Sequence, residues 1–97
     1  MSEDEATEQQ PLDNRRRRLV FRAQHMGTHE NDLLVGDFVK AEIVAMTSGE
    51  MDEVEALLKH NDTELADWLT GRLPIPPHAD SSMLRRIRHA ALNRRVP

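Results

Sequence analysis

Residues 24–34 read "QHMGTHENDLL", and the fold turns on Gly27 in the middle of them. Before it, Leu19, Val20 and Ala23 recur at helical spacing in a segment that Asp13 or Asn14 is able to cap. A glycine just beyond such a segment commonly ends a helix, because it takes a left-handed backbone at little cost. After it, Thr28 is placed to cap a second helix, and Glu30 and Asp32 in the first turn suit the positive end of its dipole. The stretch predicts two helices joined by a tight turn.

Outward from that turn the same signals repeat. Leu34, Phe38, Ala41 and Ala45, widened by Val35, Val39 and Met46, form the apolar stripe expected of a central helix. Thr47 and Glu50 have capping-box spacing ahead of Met51, Val54, Leu57 and Leu58. Asn61 and Glu64 repeat it ahead of Leu65, Trp68 and Leu69, with Gly71 as the stop. The prolines of "LPIPP", residues 73–77, bar any helix from crossing, and a last helix is expected from near Asp80 through Met83, Leu84, Ile87, Ala90 and Ala91 to about Leu92. No segment alternates with period two, and aromatics are limited to Phe21, Phe38 and Trp68. The expectation is an all-α domain, a compact bundle of five short helices over residues 13–93. An acidic tail over 1–12 and a short C-terminal tail over 94–97 flank it.

Charge and composition narrow the function. Without cysteine the chain offers no disulfide, thiolate metal site or thiol nucleophile. No apolar run approaches the roughly 18 residues of a membrane span, and "MSEDEATEQQ" is unlike a signal or transit peptide. A cytoplasmic protein with no membrane partner is expected. Setting aside Glu3, Asp4, Glu5 and Glu8, acids and bases balance at 13 each, arranged basic, acidic, basic along the chain. The run Arg15 to Arg18 points in four directions on a helix and lacks aromatic stacking partners, so pairing with the domain's own acids or with an acidic protein patch is expected over nucleic-acid binding. His25, His29 and Asp32 would share a metal only on a continuous helix, which Gly27 interrupts, so no metal site is expected. No Gly-rich phosphate loop or nucleophile with an oriented base is evident, and Trp68 reads as a core anchor. The turn itself remains, where backbone approaches a partner closely with a carboxylate beside it.

The ordered residues Met26-Gly27-Thr28-His29-Glu30-Asn31-Asp32, then Leu57-Leu58, then Asp62-Thr63-Glu64-Leu65-Ala66-Asp67-Trp68-Leu69-Thr70-Gly71 resemble the succinate dehydrogenase flavinylation factors. The likeness covers roughly residues 15–90 and follows the family pattern Arg-Gly-x-x-Glu-x-Asp, a Leu-Leu pair and Asp-x-x-Leu-x-x-Trp-Leu. It implies a five-helix bundle, monomeric when free, that binds the flavoprotein subunit of succinate dehydrogenase or fumarate reductase. The family promotes covalent attachment of FAD to a histidine of that subunit; this chain would hold no FAD stably and perform no catalysis of its own. By residue, Gly27 and Glu30 match the motif's contact positions and Asp32 its trailing acid, whereas Met26 stands where the motif has arginine. Either Arg22, His25 or His29 reaches the same partner group, or activity or target has drifted. A bacterial cytoplasm is the expected setting, and an antitoxin-like regulatory module is the alternative reading.

Overall fold

A computed structural model of the chain describes residues 13–93, so the tails expected at 1–12 and 94–97 lie outside the described residues. Five helices and no strand occur among the described residues. The first, α1, is Asn14–Gln24, capped by Asp13, whose carboxylate accepts from the Arg16 N–H at 2.8 Å. Its buried residues, Leu19 and Ala23, lie one turn apart on the face that meets the core.

The central helix, α2, runs continuously over residues 29–45 but changes winding along its length: His29–Asn31 is α-helical, Asp32–Gly36 is π, Asp37–Glu42 is α-helical and Ile43–Ala45 is 3-10. The stripe keeps Val35, Val39 and Met46 buried, with Leu34 and Phe38 packed against the core, but its centre is displaced from the one expected. Asn31, Val35, Val39 and Ile43 are buried, Leu34 and Phe38 sit at its margin, and Ala41 and Ala45 are exposed. Residues four apart drift around a helix of 3.6 residues per turn, and the wider π turn absorbs that drift, keeping all four on one side. Counting at 3.6 from Leu34 misses this phase. Gly36 lies in the π segment where α2 crosses α1, and a Cβ there would stand 2.9 Å from both the Ala23 carbonyl oxygen and Gln24 Cγ.

Helix α3, Ser48–Leu57, opens with the full capping box: the Glu50 N–H donates to Thr47 Oγ1 at 3.1 Å and the Thr47 N–H to Glu50 Oε1 at 2.8 Å. Helix α4, Asp62–Leu69, is capped by Asn61 Oδ1, which accepts from the N–H groups of Thr63 and Glu64. It ends at Gly71, whose φ is +81°. Trp68, Leu65 and Leu69 are buried, so Trp68 is the core anchor expected of it.

The last helix, α5, is Ser82–Asn93 and starts two residues later than expected. Ser81 Oγ accepts from the Leu84 N–H at 3.0 Å, while Glu53 of α3 accepts from the Met83 N–H at 2.8 Å and the Ser82 hydroxyl at 3.2 Å. Asp80 is thereby left outside the helix and pairs with Arg85.

The arginine run divides by direction. Arg15 reaches Glu55, Asp52 and Ser48 of α3, the paired acids raising its pKa above the ordinary value. Arg16 donates to the Ile43 and Met46 carbonyls at 3.0 and 2.7 Å, satisfying acceptors where α2 ends. The two sets of bonds lock α1 against α2 and α3; the Arg15 set is the expected pairing with the domain's own acids, whereas Arg16 reaches α2 through backbone carbonyls.

Candidate functional site

The turn between α1 and α2 is built by short-range bonds that leave one edge bare. His25 ends α1, its N–H donating to the Arg22 carbonyl, and its ring stacks on Phe21 with centroids 3.9 Å apart. His25 Nδ1 lies 2.7 Å from the Phe21 carbonyl oxygen; since that oxygen only accepts, Nδ1 carries the proton. The Met26 N–H then donates to Asp32 Oδ1 at 2.6 Å, closing the turn with a carboxylate from the first turns of α2.

Gly27 takes φ +110°, a region that L side chains rarely adopt, and a Cβ on it would stand 2.9 Å from Asp62 Oδ2. Thr28 Oγ1 accepts from the Asn31 N–H, and the Asp32 N–H donates to the Thr28 carbonyl. Asn31 is wholly buried and its Nδ2 donates to the Asp62 carbonyl at 2.9 Å, tying the start of α2 to the start of α4. The Asp32 carboxylate, the Thr28 cap and a long-range amide bond thus hold one conformation, which glycine at position 27 permits.

The seven expected site residues separate on this frame. Arg22, His25, Gly27, His29 and Glu30 are exposed at one end of the bundle. Met26 is half-buried against the core, and Asp32 is half-buried with its carboxylate on the Met26 N–H. Asp32 therefore enters the site as the group that holds its backbone. Nowhere among the described residues do three histidine, cysteine or acidic side chains gather as metal ligands.

Reading the sequence did not single out Asn31, Asp62 or Phe21 for this site. A hollow of about 220 Å³ lies beside the turn, lined by Phe21, Arg22, His25, Met26, Leu58 and Asp62. Phe21 gave one legible signal, an aromatic off the Leu19 and Ala23 face, and the residue is accordingly exposed. Asn31 gave none, because its burial depends on a carbonyl 31 residues away. No helix among the described residues is long and apolar enough to cross a membrane.

A family model described as the flavinator of succinate dehydrogenase matches residues 17–91. Over 73 residues the chain is 52% identical to the FAD assembly factor SdhE of Acetobacter pasteurianus, an alignment covering 75% of this chain and 67% of that one. It is 29% identical over 86 residues to the mitochondrial succinate dehydrogenase assembly factor 2-A of Drosophila ananassae, covering 87% of this chain and 55% of the relative. The corresponding mitochondrial factor of Dictyostelium discoideum is 25% identical over 82 residues, with 84% and 58% covered. The chain spans little more than half the length of these two mitochondrial relatives. No solved structure matches. Since the family match extends from the last two turns of α1 almost to the end of α5 and takes in the whole Gly27 turn, this chain belongs to the succinate dehydrogenase flavinators.

Proposed function

We propose that the chain is an assembly factor that docks through the turn at residues 22–32 onto the flavoprotein subunit of succinate dehydrogenase and promotes covalent attachment of FAD to it. The observation that carries the reading is the Gly27 turn: a backbone fixed at φ +110° and exposed, with the Glu30 carboxylate exposed three residues on. A surface held that firmly docks without an ordering cost. Gly27 lets the partner's backbone approach, Glu30 meets a donor on the partner, and Asp32 and Asn31 keep the turn in shape. Met26, His25, His29 and Arg22 border the contact.

FAD belongs to the partner in this reading. The flavin and the histidine that receives it are both held by the flavoprotein, as the family's description as a flavinator of succinate dehydrogenase supports. The helper contributes positioning: it stabilises the arrangement in which that histidine meets the flavin 8α-methyl carbon, and it needs no catalytic group of its own. Fumarate reductase flavoprotein is a second partner of the same chemistry. We place the factor, as a monomer, in a bacterial cytoplasm, the bacterial setting being supported by the likeness to the Acetobacter protein.

The test is co-expression of the flavoprotein with and without this chain in cells lacking their own factor. Flavin fluorescence retained by the denatured flavoprotein band only when the chain is present is the expected result. An equal signal in both cells overturns the reading.

A further inference from the structure

We infer that the outer face of α1, centred on Phe21 and flanked by Arg18 and Arg22, is a second half of the docking surface and seats an acidic segment of the flavoprotein that carries an apolar side chain. The inference rests on the proposed flavoprotein partner and extends the contact beyond the turn. Four observations carry it.

Phe21 is 61% exposed, yet its ring is held by the stacked His25 ring, whose Nδ1–H is fixed on the Phe21 carbonyl. A large aromatic kept outward and rigid gives nothing to the core and loses little entropy on burial, the profile of an interface anchor. Next, Arg15 and Arg16 are spent inside the fold, whereas the side chains of Arg18 and Arg22 have no hydrogen-bond or ion-pair partner among the described residues. Arg17, beside them, reaches only Asn14 Oδ1 at 3.3 Å.

Arg18 and Arg22 stand four apart on one helix, so their like charges repel across one turn at a small cost to α1. The last-turn position of Arg22 suits the helix dipole, but no ion pair inside the described fold offsets the repulsion, and carboxylates arriving from outside would. Finally, the patch is continuous with the turn: Arg17, Arg18, Val20, Phe21, Arg22 and Gln24 line an open hollow of about 590 Å³, and Phe21 and Arg22 also line the hollow beside Met26. A segment crossing the Gly27 turn therefore runs onto Phe21 next, with guanidinium groups on either side.

The test measures binding of the full chain to the purified flavoprotein subunit over a range of salt. Phe21→Ala is expected to weaken binding about tenfold, and Arg18→Glu by a similar factor at low salt that closes as salt rises. Arg18→Glu also separates interface from fold, because it creates a favourable i,i+4 pair with Arg22 and should leave thermal stability equal or higher. Parent binding that is lost in Gly27→Arg but unchanged in Phe21→Ala and Arg18→Glu overturns this inference and leaves the assembly role standing. No binding by the parent overturns both. Tighter binding by Arg18→Glu assigns the face to the chain's own acidic residues 1–12 and also overturns it. Unchanged flavoprotein affinity with loss of retention on duplex DNA does the same in favour of nucleic acid.

Discussion

The Met26 N–H donates to Asp32 Oδ1 at 2.6 Å, so a carboxylate six residues along the chain fixes the backbone just ahead of Gly27. The acid conspicuous in the sequence as a contact residue is turned inward. Asp32→Ala should therefore lower stability by about 1.5–3 kcal/mol, the range for a hydrogen bond to a charged group, and reduce flavinylation through a loosened turn. Urea unfolding followed by Trp68 fluorescence checks the first, and Asp32→Asn, which keeps a neutral acceptor, should recover part of it.

Gly27 and Glu30 should separate stability from activity. Gly27→Ala must take φ +110° and meet Asp62 Oδ2, at a cost of about 1–2 kcal/mol. Since the carboxylate end of Asp62 can move aside, backbone strain dominates, and Asp62→Ala in the same chain should restore little. Glu30→Ala, at an exposed position, should stay within about 0.5 kcal/mol of the parent while flavinylation falls. Thermal melts beside a flavin fluorescence assay resolve the two.

Arg22 and His25 line the same hollow as Met26, and in the proposed role Arg22, the permanently charged one of the two, is the cation that position 26 lacks. Arg22→Ala should weaken flavoprotein binding by about tenfold, and adding Met26→Arg to it should recover the loss. Met26→Arg alone should improve binding less than it does in the Arg22→Ala background. Titration calorimetry on the four chains gives the coupling directly.

Gly36 is a test of the helix crossing. A methyl group there meets the backbone carbonyl of Ala23 at 2.9 Å, which is not free to swing away. Gly36→Ala should cost about 1–3 kcal/mol by forcing α1 and α2 apart, and Gly36→Val more, read as a fall in melting temperature.

Acid should undo two caps. The Arg16 N–H holds the Asp13 carboxyl below its ordinary 3.8, and the Thr47 N–H holds Glu50 below 4.5. A carboxyl whose pKa is lowered by folding contributes stability above its unfolded value and loses it as pH falls through the folded one. The parent should thus lose stability from about pH 4.5 downward. Asp13→Asn combined with Glu50→Gln should flatten that limb, with urea midpoints measured across the acid range.

What was legible in the sequence was local. Asp13, Thr28, Thr47 and Asn61 cap helices through bonds to residues two or three positions on, and Gly27 and Gly71 stop helices by their own φ. Long-range features were not. Gly36 matters because of Ala23, α5 starts where Glu53 of α3 caps it, and Asn31 is buried because a carbonyl of α4 receives its amide. Val35, Val39 and Met46 lie on the core face of α2 as periodicity suggests, whereas Ala41 and Ala45 fall off it, because periodicity assumes uniform winding and the π turn at Asp32–Gly36 breaks that assumption. At the site, Gly27 and the exposed Glu30 stand where the motif suggested, whereas Asp32 faces a backbone N–H that no motif displays.

The most direct test of the proposed role is the rate of covalent flavin attachment to purified apo-flavoprotein mixed with FAD, with the parent chain, with Glu30→Ala, or with neither. Attachment accelerated by the parent and much less by the folded Glu30→Ala variant is the predicted result. Rates that are the same in all three mixtures would contradict it.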